Sequence, residues 1–287
     1  MASRTRRAEV ARETLVILER GSYLGPTGPE VSIRAALDAA RSGSVLYTPD
    51  SFDEVHRRRD AVLRGRADHP PVAFEVANET TLHAARRLLD EGRAERVLAL
   101  NFASARNPGG GFLNGSQAQE ESLARASGLY ACINPLQGMY EANRRCPTCL
   151  YTDHMIYSPD VPVFRDDEDC LLDRPYPASF VTAPAVNAGV VRAREPGNAA
   201  RIEAVMLGRM ERVLALAVAH GHEQLVLGAW GCGVFANDPG QVAGWFARHL
   251  TGDGPYRAAF RRVCFAVLDR SPARGTIGPF ERRFAPM

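Results

Sequence analysis

Hydrophobic residues in this chain gather in short, nearly unbroken runs, the pattern of strands covered on both faces. Residues 72–76, 97–102, 179–183, 225–230 and 263–268 read as such core strands. Ile202, Val205, Met206, Met210, Val213, Leu214 and Ala217 trace one face of a helix within residues 198–220. Further helices are predicted to open around Asn78, Glu79 and Thr80, to open at Glu120, and to cover 239–250. Residues 4–19 and 31–41 also carry helical spacing. Between them, residues 21–29 hold too much glycine and proline for regular structure. His56, Arg57, Arg58 and Arg59 read as a solvated helix face, and the stretch between the helix at Glu120 and the strand at 179 reads as irregular. Strands alternating with helices predict a three-layer α/β sandwich on a mixed, largely parallel sheet, with a mostly helical extension over residues 1–65 packed on a core of 66–287.

Composition narrows the chemistry. The 287 residues are 45% hydrophobic and 24% charged, ordinary for a globular chain. No apolar run approaches the roughly 18 residues of a membrane span, and the basic N-terminus lacks the apolar core of a secretory signal, so a cytoplasmic protein is expected. All 35 residues counted as Lys+Arg are arginine. Without lysine there is no Walker phosphate lysine and no Schiff-base enzyme. The net charge of +2 is too small to predict direct nucleic-acid binding. Cys146 and Cys149, with His154 close behind, have the opening spacing of a zinc site. A structural site needs four ligands and no others follow at a suitable distance, so a turn with two free thiols, and no metal, is expected.

Two loops carry the candidate chemistry. Gly109, Gly110 and Gly111 follow the strand at 97–102 and precede Gln119, Glu120 and Glu121 at a helix start. Gly231, Cys232, Gly233, Val234 and Phe235 follow the strand at 225–230 and lead to Asn237, Asp238 and the next helix. If the two strands run parallel, both loops lie at the carboxyl edge of the sheet, where open α/β folds place ligands. Main chain without side chains beside helix starts suits a phosphate or diphosphate. Neither loop completes a dinucleotide fingerprint, since the third glycine and the downstream acid are missing. Adjacent residues on a helix diverge by about 100°, so Glu120 and Glu121 cannot be the facing acid and nucleophile of a two-carboxylate glycosidase. A division of labour fits better, one carboxyl acting as acid and base while the other fixes hydroxyls or orients its neighbour.

The triple glycine, the seven residues after it and Gln119-Glu120-Glu121 resemble the signature loop of poly(ADP-ribose) glycohydrolases. Asn101-Phe102-Ala103, Asn107-Pro108 and the run from Gly231 to Asp238 are similar to the bacterial-type branch of that family, and the likeness extends over roughly residues 70–280. It implies a macrodomain fold over residues 66–287 and cleavage of ribose–ribose bonds, mainly at chain ends, releasing ADP-ribose without a cofactor. Glu121 would be the catalytic acid and base, and Glu120 would hold ribose hydroxyls. Asn107, Gly109, Gly110, Gly111, Gln119 and Phe235 would line the terminal ribose, while the amides of Gly231, Cys232, Gly233, Val234 and Phe235 would cradle the diphosphate. Pro184, Asn187 and Thr276 are the candidates for the adenine side. Implied partners are poly(ADP-ribose), ADP-ribose and ADP-ribosylated proteins, met as a monomer away from membranes. Two other readings carry the same fold: a macrodomain that binds ADP-ribose without cutting it, and a hydrolase for ADP-ribose attached singly to protein or nucleic acid.

Overall fold

The computed structural model describes residues 3–66, 69–91 and 96–284. The strands are β1 (Ser22–Leu24), β2 (Glu30–Ser32), β3 (Val45–Tyr47), β4 (Ala73–Ala77), β5 (Leu98–Phe102), β6 (Met155–Arg165), β7 (Leu171–Ala183), β8 (Gln224–Leu227) and β9 (Arg262–Ala266). The first five helices are α1 (Arg4–Arg20), α2 (Arg34–Gly43), α3 (Phe52–Arg64), α4 (Thr81–Asp90) and α5 (Gln119–Ala126). They are followed by α6 (Leu129–Ile133), α7 (Gly138–Arg145), α8 (Ala188–Arg194), α9 (Ile202–Ala219), α10 (Pro239–Leu250) and α11 (Ile277–Phe284).

Strands β3-β6-β7-β5-β8-β9-β4 form one seven-stranded sheet. The pairs β7–β5, β5–β8, β8–β9 and β9–β4 are parallel, while β3–β6 and β6–β7 are antiparallel. The expected mixed, largely parallel sheet is therefore present. Its faces separate cleanly along β5. Leu98 and Leu100 join a core with residues of α3, α9, α10 and α11, whereas Val97 and Ala99 join one with α2, α4, α5, α6 and α7. Period-two alternation thus gives three layers.

Helix ends follow ordinary capping rules. The Thr80 side chain accepts from His83 N at the start of α4, and the Asp238 side chain accepts from Gln241 N at the start of α10.

Three expectations change. Residues 21–29 are not wholly irregular, because β1 pairs with β2 in a small antiparallel ribbon around the glycine- and proline-rich turn. The middle of the chain holds α6, α7 and the long β6–β7 pair. Prolines 159, 162, 175 and 177 interrupt that pattern in sequence, and register shifts beside Ser158 and Val163 accommodate the irregular pairing. The basic stretch belongs to α3 and faces more than solvent: His56 Nε2 meets Glu211 Oε2 at 3.1 Å, and Arg59 pairs with Glu211 of α9. Residues before 66 are also woven into the sheet, through β3, and over the first glycine loop, through α1.

Candidate active site

The parallel pairing of β5 with β8 brings both glycine loops to the carboxyl edge of the sheet. A Cβ built on Gly228 would stand 3.0 Å from Phe102 Cζ, so the strand ends touch before the loops depart.

Helix α5 delivers the two glutamates to the first loop. Gln119 fixes its start: Oε1 accepts from Phe102 N at 2.8 Å, and Nε2 donates to Leu100 O at 2.8 Å and to Thr81 Oγ1 at 3.1 Å. Its oxygen and both N–H bonds are thereby engaged, so Gln119 ties α5 to β5 instead of presenting its amide to a ribose. Glu120 is 3% exposed. Its Oε2 accepts from Ser104 N at 2.7 Å and its Oε1 from Asn101 Nδ2 at 3.4 Å. Burial pushes the Glu120 carboxyl up to about 8, with a further push from the negative charge of Glu121 against the pull of those donors.

Glu121 is half-buried and turned into the loop. Its Oε1 accepts from Gly111 N at 3.0 Å, whereas Oε2 is buried and meets no hydrogen-bond partner. Gly110, at φ 59°, lies against both carboxyls, since a Cβ there would stand 2.4 Å from Glu121 Oε1 and 3.2 Å from Glu120 Oε2. The side chains leave the helix in different directions, as their adjacency requires, and both still reach this one glycine. Gly109 packs against Phe112 and Tyr130, and exposed Asn107 closes the turn by accepting from Gly110 N at 3.0 Å through its main chain.

The second loop is built otherwise. Gly231, at φ 74°, lies against Asn237 Nδ2 and Ala185 Cβ. Asn237 is buried and donates to Val186 O at 2.8 Å and to Gly231 O at 3.1 Å, which fixes the base of the loop. The amide of Cys232 donates to Ala229 O at 3.1 Å, so it is not free for a ligand. The N–H groups of Gly231, Gly233, Val234 and Phe235 have no acceptor among the described residues. Val234 at the tip is 89% exposed, and the Phe235 ring lies 6.0 Å from that of Tyr151.

The adenine-side candidates separate. Asn187 caps α8 by accepting from Val190 N at 3.2 Å, beside the Tyr151 hydroxyl. Pro184 is buried and its carbonyl accepts from Arg209 Nη1 at 3.1 Å, so it presents little surface to a ligand. Thr276 is half-buried and gives its N–H to Asp269 Oδ2 at 2.8 Å. The Ser271 hydroxyl and N–H, with Thr276 N–H and Ile277 N–H, hold the Asp269 carboxyl well below the usual carboxylate range.

Cys146, Cys149 and His154 do not gather ligand atoms. Cys149 N donates to Glu195 Oε1 at 2.8 Å, and His154 Nδ1 meets Thr152 Oγ1 at 3.0 Å. Among the described residues the group of three converging ligand atoms is Glu75, Glu79 and Cys264, and Arg87 pairs with both of those carboxylates.

Four site residues were given no role from the sequence, although Asn101 stood within the run that carries the family likeness. Asn101 and Ser104 hold Glu120, Tyr151 backs Phe235, and Arg125 holds the far end of the first loop. Arg125 is 2% exposed and donates to Ser116 O at 2.9 Å. Only Asn101 left a signal, as a polar residue inside an apolar strand.

A carboxyl that keeps its proton near neutrality, next to a second with an open buried oxygen and a row of unanswered amides, is the equipment of a glycosidase built on an α/β sheet. Residues 11–166 match the family described as microbial-type PARG, catalytic domain. Poly(ADP-ribose) glycohydrolase from Thermomonospora curvata is 46% identical, with a TM-score of 0.89 over 98% of this chain and 100% of that one. Its complex with the inhibitor ADP-HPD superposes over the same shares at a TM-score of 0.87 and 46% identity. The Deinococcus radiodurans enzyme in complex with ADP-ribose is 45% identical, covering 86% of this chain and 96% of that one at a TM-score of 0.78. Among curated proteins nothing matches. The chain belongs to the microbial-type poly(ADP-ribose) glycohydrolase family.

Proposed function

We propose that this protein, a macrodomain enzyme, hydrolyses the ribose–ribose bonds of poly(ADP-ribose) from chain ends and releases ADP-ribose, with Glu121 as the acid and base. The observation that carries this reading is the state of the Glu121 carboxyl. One oxygen is fixed by Gly111 N–H while the other is buried without a partner. A buried polar atom left unsatisfied costs stability and is retained where a ligand completes it. A module that only binds ADP-ribose has no use for such an oxygen at the bond.

In the reaction, Glu121 Oε2 gives a proton to the oxygen leaving the anomeric carbon as that C–O bond breaks. Water then attacks the oxocarbenium-like centre, and the Glu121 carboxylate takes the water's proton, which restores the acid. Glu120, anchored by Asn101 and Ser104, holds ribose hydroxyls, and burial raises its own carboxyl to about 8. The free amides of Gly231, Gly233, Val234 and Phe235 grip the diphosphate, whose negative charge offsets the developing positive centre. Phe235, supported by Tyr151, presses on the terminal ribose. On this reading residues 66–287 carry the chemistry, residues 1–65 brace it, and the protein acts as a cytoplasmic monomer on ADP-ribosylated proteins.

The test is incubation with automodified polymer followed by chromatography of the products. Wild-type protein is expected to release ADP-ribose, and Glu121→Gln to lose about a thousandfold in turnover while its ADP-ribose affinity, measured by calorimetry, persists. Undiminished release by Glu121→Gln removes the mechanism.

A further inference from the structure

The rim of the first glycine loop carries positive charge that no carboxylate answers. Arg106 is exposed and directly precedes Asn107, and its guanidinium stands 6.0 Å from the Tyr151 ring centroid. Exposed Arg144 of α7 donates through Nη1 to Arg106 O at 2.6 Å and through Nη2 to Gln137 Oε1 at 3.3 Å. Among the described residues neither guanidinium has a carboxylate within ion-pair distance. Some exposed arginines are answered, Arg57 by Glu54, Arg86 by Asp90, Arg248 by Glu203 and Arg274 by Glu281, whereas Arg106 and Arg144 are held only by neutral groups beside the first loop. Arginines held by a carbonyl, an amide and an aromatic ring keep their charge for a phosphate, which the planar fork can grip with two hydrogen bonds.

Their position selects the phosphate. The terminal unit's diphosphate belongs to the free amides on the second loop. The bond to be cut lies at Glu121, under Gly110, and Gly110 is held by the turn that Asn107 closes. Arg106 directly precedes that turn, its carbonyl ties Arg144 to the loop, and its guanidinium reaches over Tyr151 beside Phe235. We infer that Arg106 and Arg144 form a subsite for the diphosphate of the polymer unit on the leaving side of the scissile bond. This rests on the reading of Glu121 as the acid at a ribose–ribose bond. It adds a second anion site, occupied by polymer and empty with free ADP-ribose.

The experiment compares wild type with the double variant Arg106→Ala/Arg144→Ala, measuring KM and kcat on automodified polymer at several salt concentrations and the Kd for free ADP-ribose. The KM for polymer should rise about tenfold, the log–log salt slope of kcat/KM should become shallower by about one for each phosphate no longer neutralised, and kcat and the ADP-ribose Kd should stay within about twofold. Arg106→Lys/Arg144→Lys keeps the charge without the fork and should recover most of the salt slope but only part of the KM. An unchanged KM for polymer overturns the inference, as does an ADP-ribose Kd that weakens in step with KM, which would assign the arginines to the terminal unit. Wild-type protein inert toward polymer would overturn the reading of Glu121 and this inference together. Normal wild-type turnover with an unchanged variant KM overturns this inference alone.

Discussion

The two glycine loops leave neighbouring parallel strands and look alike in sequence, yet they use their main-chain amides in opposite ways. In the first, Ser104 N and Gly111 N donate to Glu120 and Glu121, and Gly110 N donates to Asn107 O. Its hydrogen bonds are closed on the loop itself and on the two carboxyls. In the second, Asn237 braces the base while four amides have no acceptor among the described residues. One loop is wired to hold acids and the other is left open to hold an anion. The glycines therefore have different reasons to be glycine, and substitutions can tell those reasons apart.

The sharpest break of the comparison after loss of Glu121 itself is Gly110→Ala. The new methyl group would meet Glu121 Oε1 at 2.4 Å, the far end of a flexible side chain, so the carboxyl can swing aside and the fold survive. The left-handed φ of 59° adds about 1 kcal/mol of strain. Turnover should fall about a hundredfold, the cost of misplacing a reacting group by roughly 1 Å, with the melting temperature only slightly lowered. Equal losses of stability and turnover would show Gly110 to be structural.

A second test uses pH, because the first loop buries an acid and the second buries none. The Glu120 carboxyl is raised from 4.5 to about 8. Between those values the folded protein keeps a proton that the unfolded chain has released, so this group's contribution to stability is present below pH 4.5 and is lost as pH rises through about 8. The slope is at most about 1.4 kcal/mol per pH unit. Burial lowers His220 to about 4 and His222 to about 3, at the opposite edge of the sheet. Their contribution has the other sign, present above pH 6.5 and lost as pH falls through those values. It is common to wild type and Glu120→Gln, so it cancels in the difference. Urea unfolding from pH 5 to 8 should show Glu120→Gln gaining on wild type by on the order of 3 kcal/mol. Parallel curves would mean that Glu120 is already ionised in the folded protein.

How much of this could be read beforehand follows from where the determinants lie. The core strands, both loops and Glu120 and Glu121 were legible, because continuous apolar runs and glycine clusters are local signals. Strand β6 and the first half of β7 were hidden by their four prolines, which register shifts and irregular pairing accommodate, while the apolar end of β7 at 179–183 was legible. The task of Gln119 was hidden for a different reason. Its amide is consumed by Leu100, Phe102 and Thr81, far away in sequence. The same holds for Arg125, which fixes the loop through Ser116 and meets α1 where its own carbonyl accepts from Thr14 Oγ1 at 2.7 Å. Long-range pairing decides which polar side chains remain free for substrate, and one-dimensional pattern does not contain it.

The finest discrimination lies within the second loop. Gly231 and Gly233 are two residues apart, but a Cβ on Gly231 would meet Asn237 Nδ2 at 2.5 Å and Ala185 Cβ at 2.6 Å, whereas one on Gly233 meets nothing within 4 Å. Gly231→Ala forces a packed methyl group and a buried amide apart at a left-handed φ, and should cost about 2–3 kcal/mol of stability. Gly233→Ala should leave unfolding unchanged to within about 0.5 kcal/mol, since the space it enters is empty in the free protein. If that space is where the diphosphate lies against the free amides, the same substitution should weaken ADP-ribose binding about tenfold, the equivalent of one charge-assisted hydrogen bond. Calorimetry on the stable Gly233→Ala protein reads this directly. Wild-type affinity there would mean that the diphosphate does not approach Gly233, and that the open amides serve the loop in some other way than as an anion cradle.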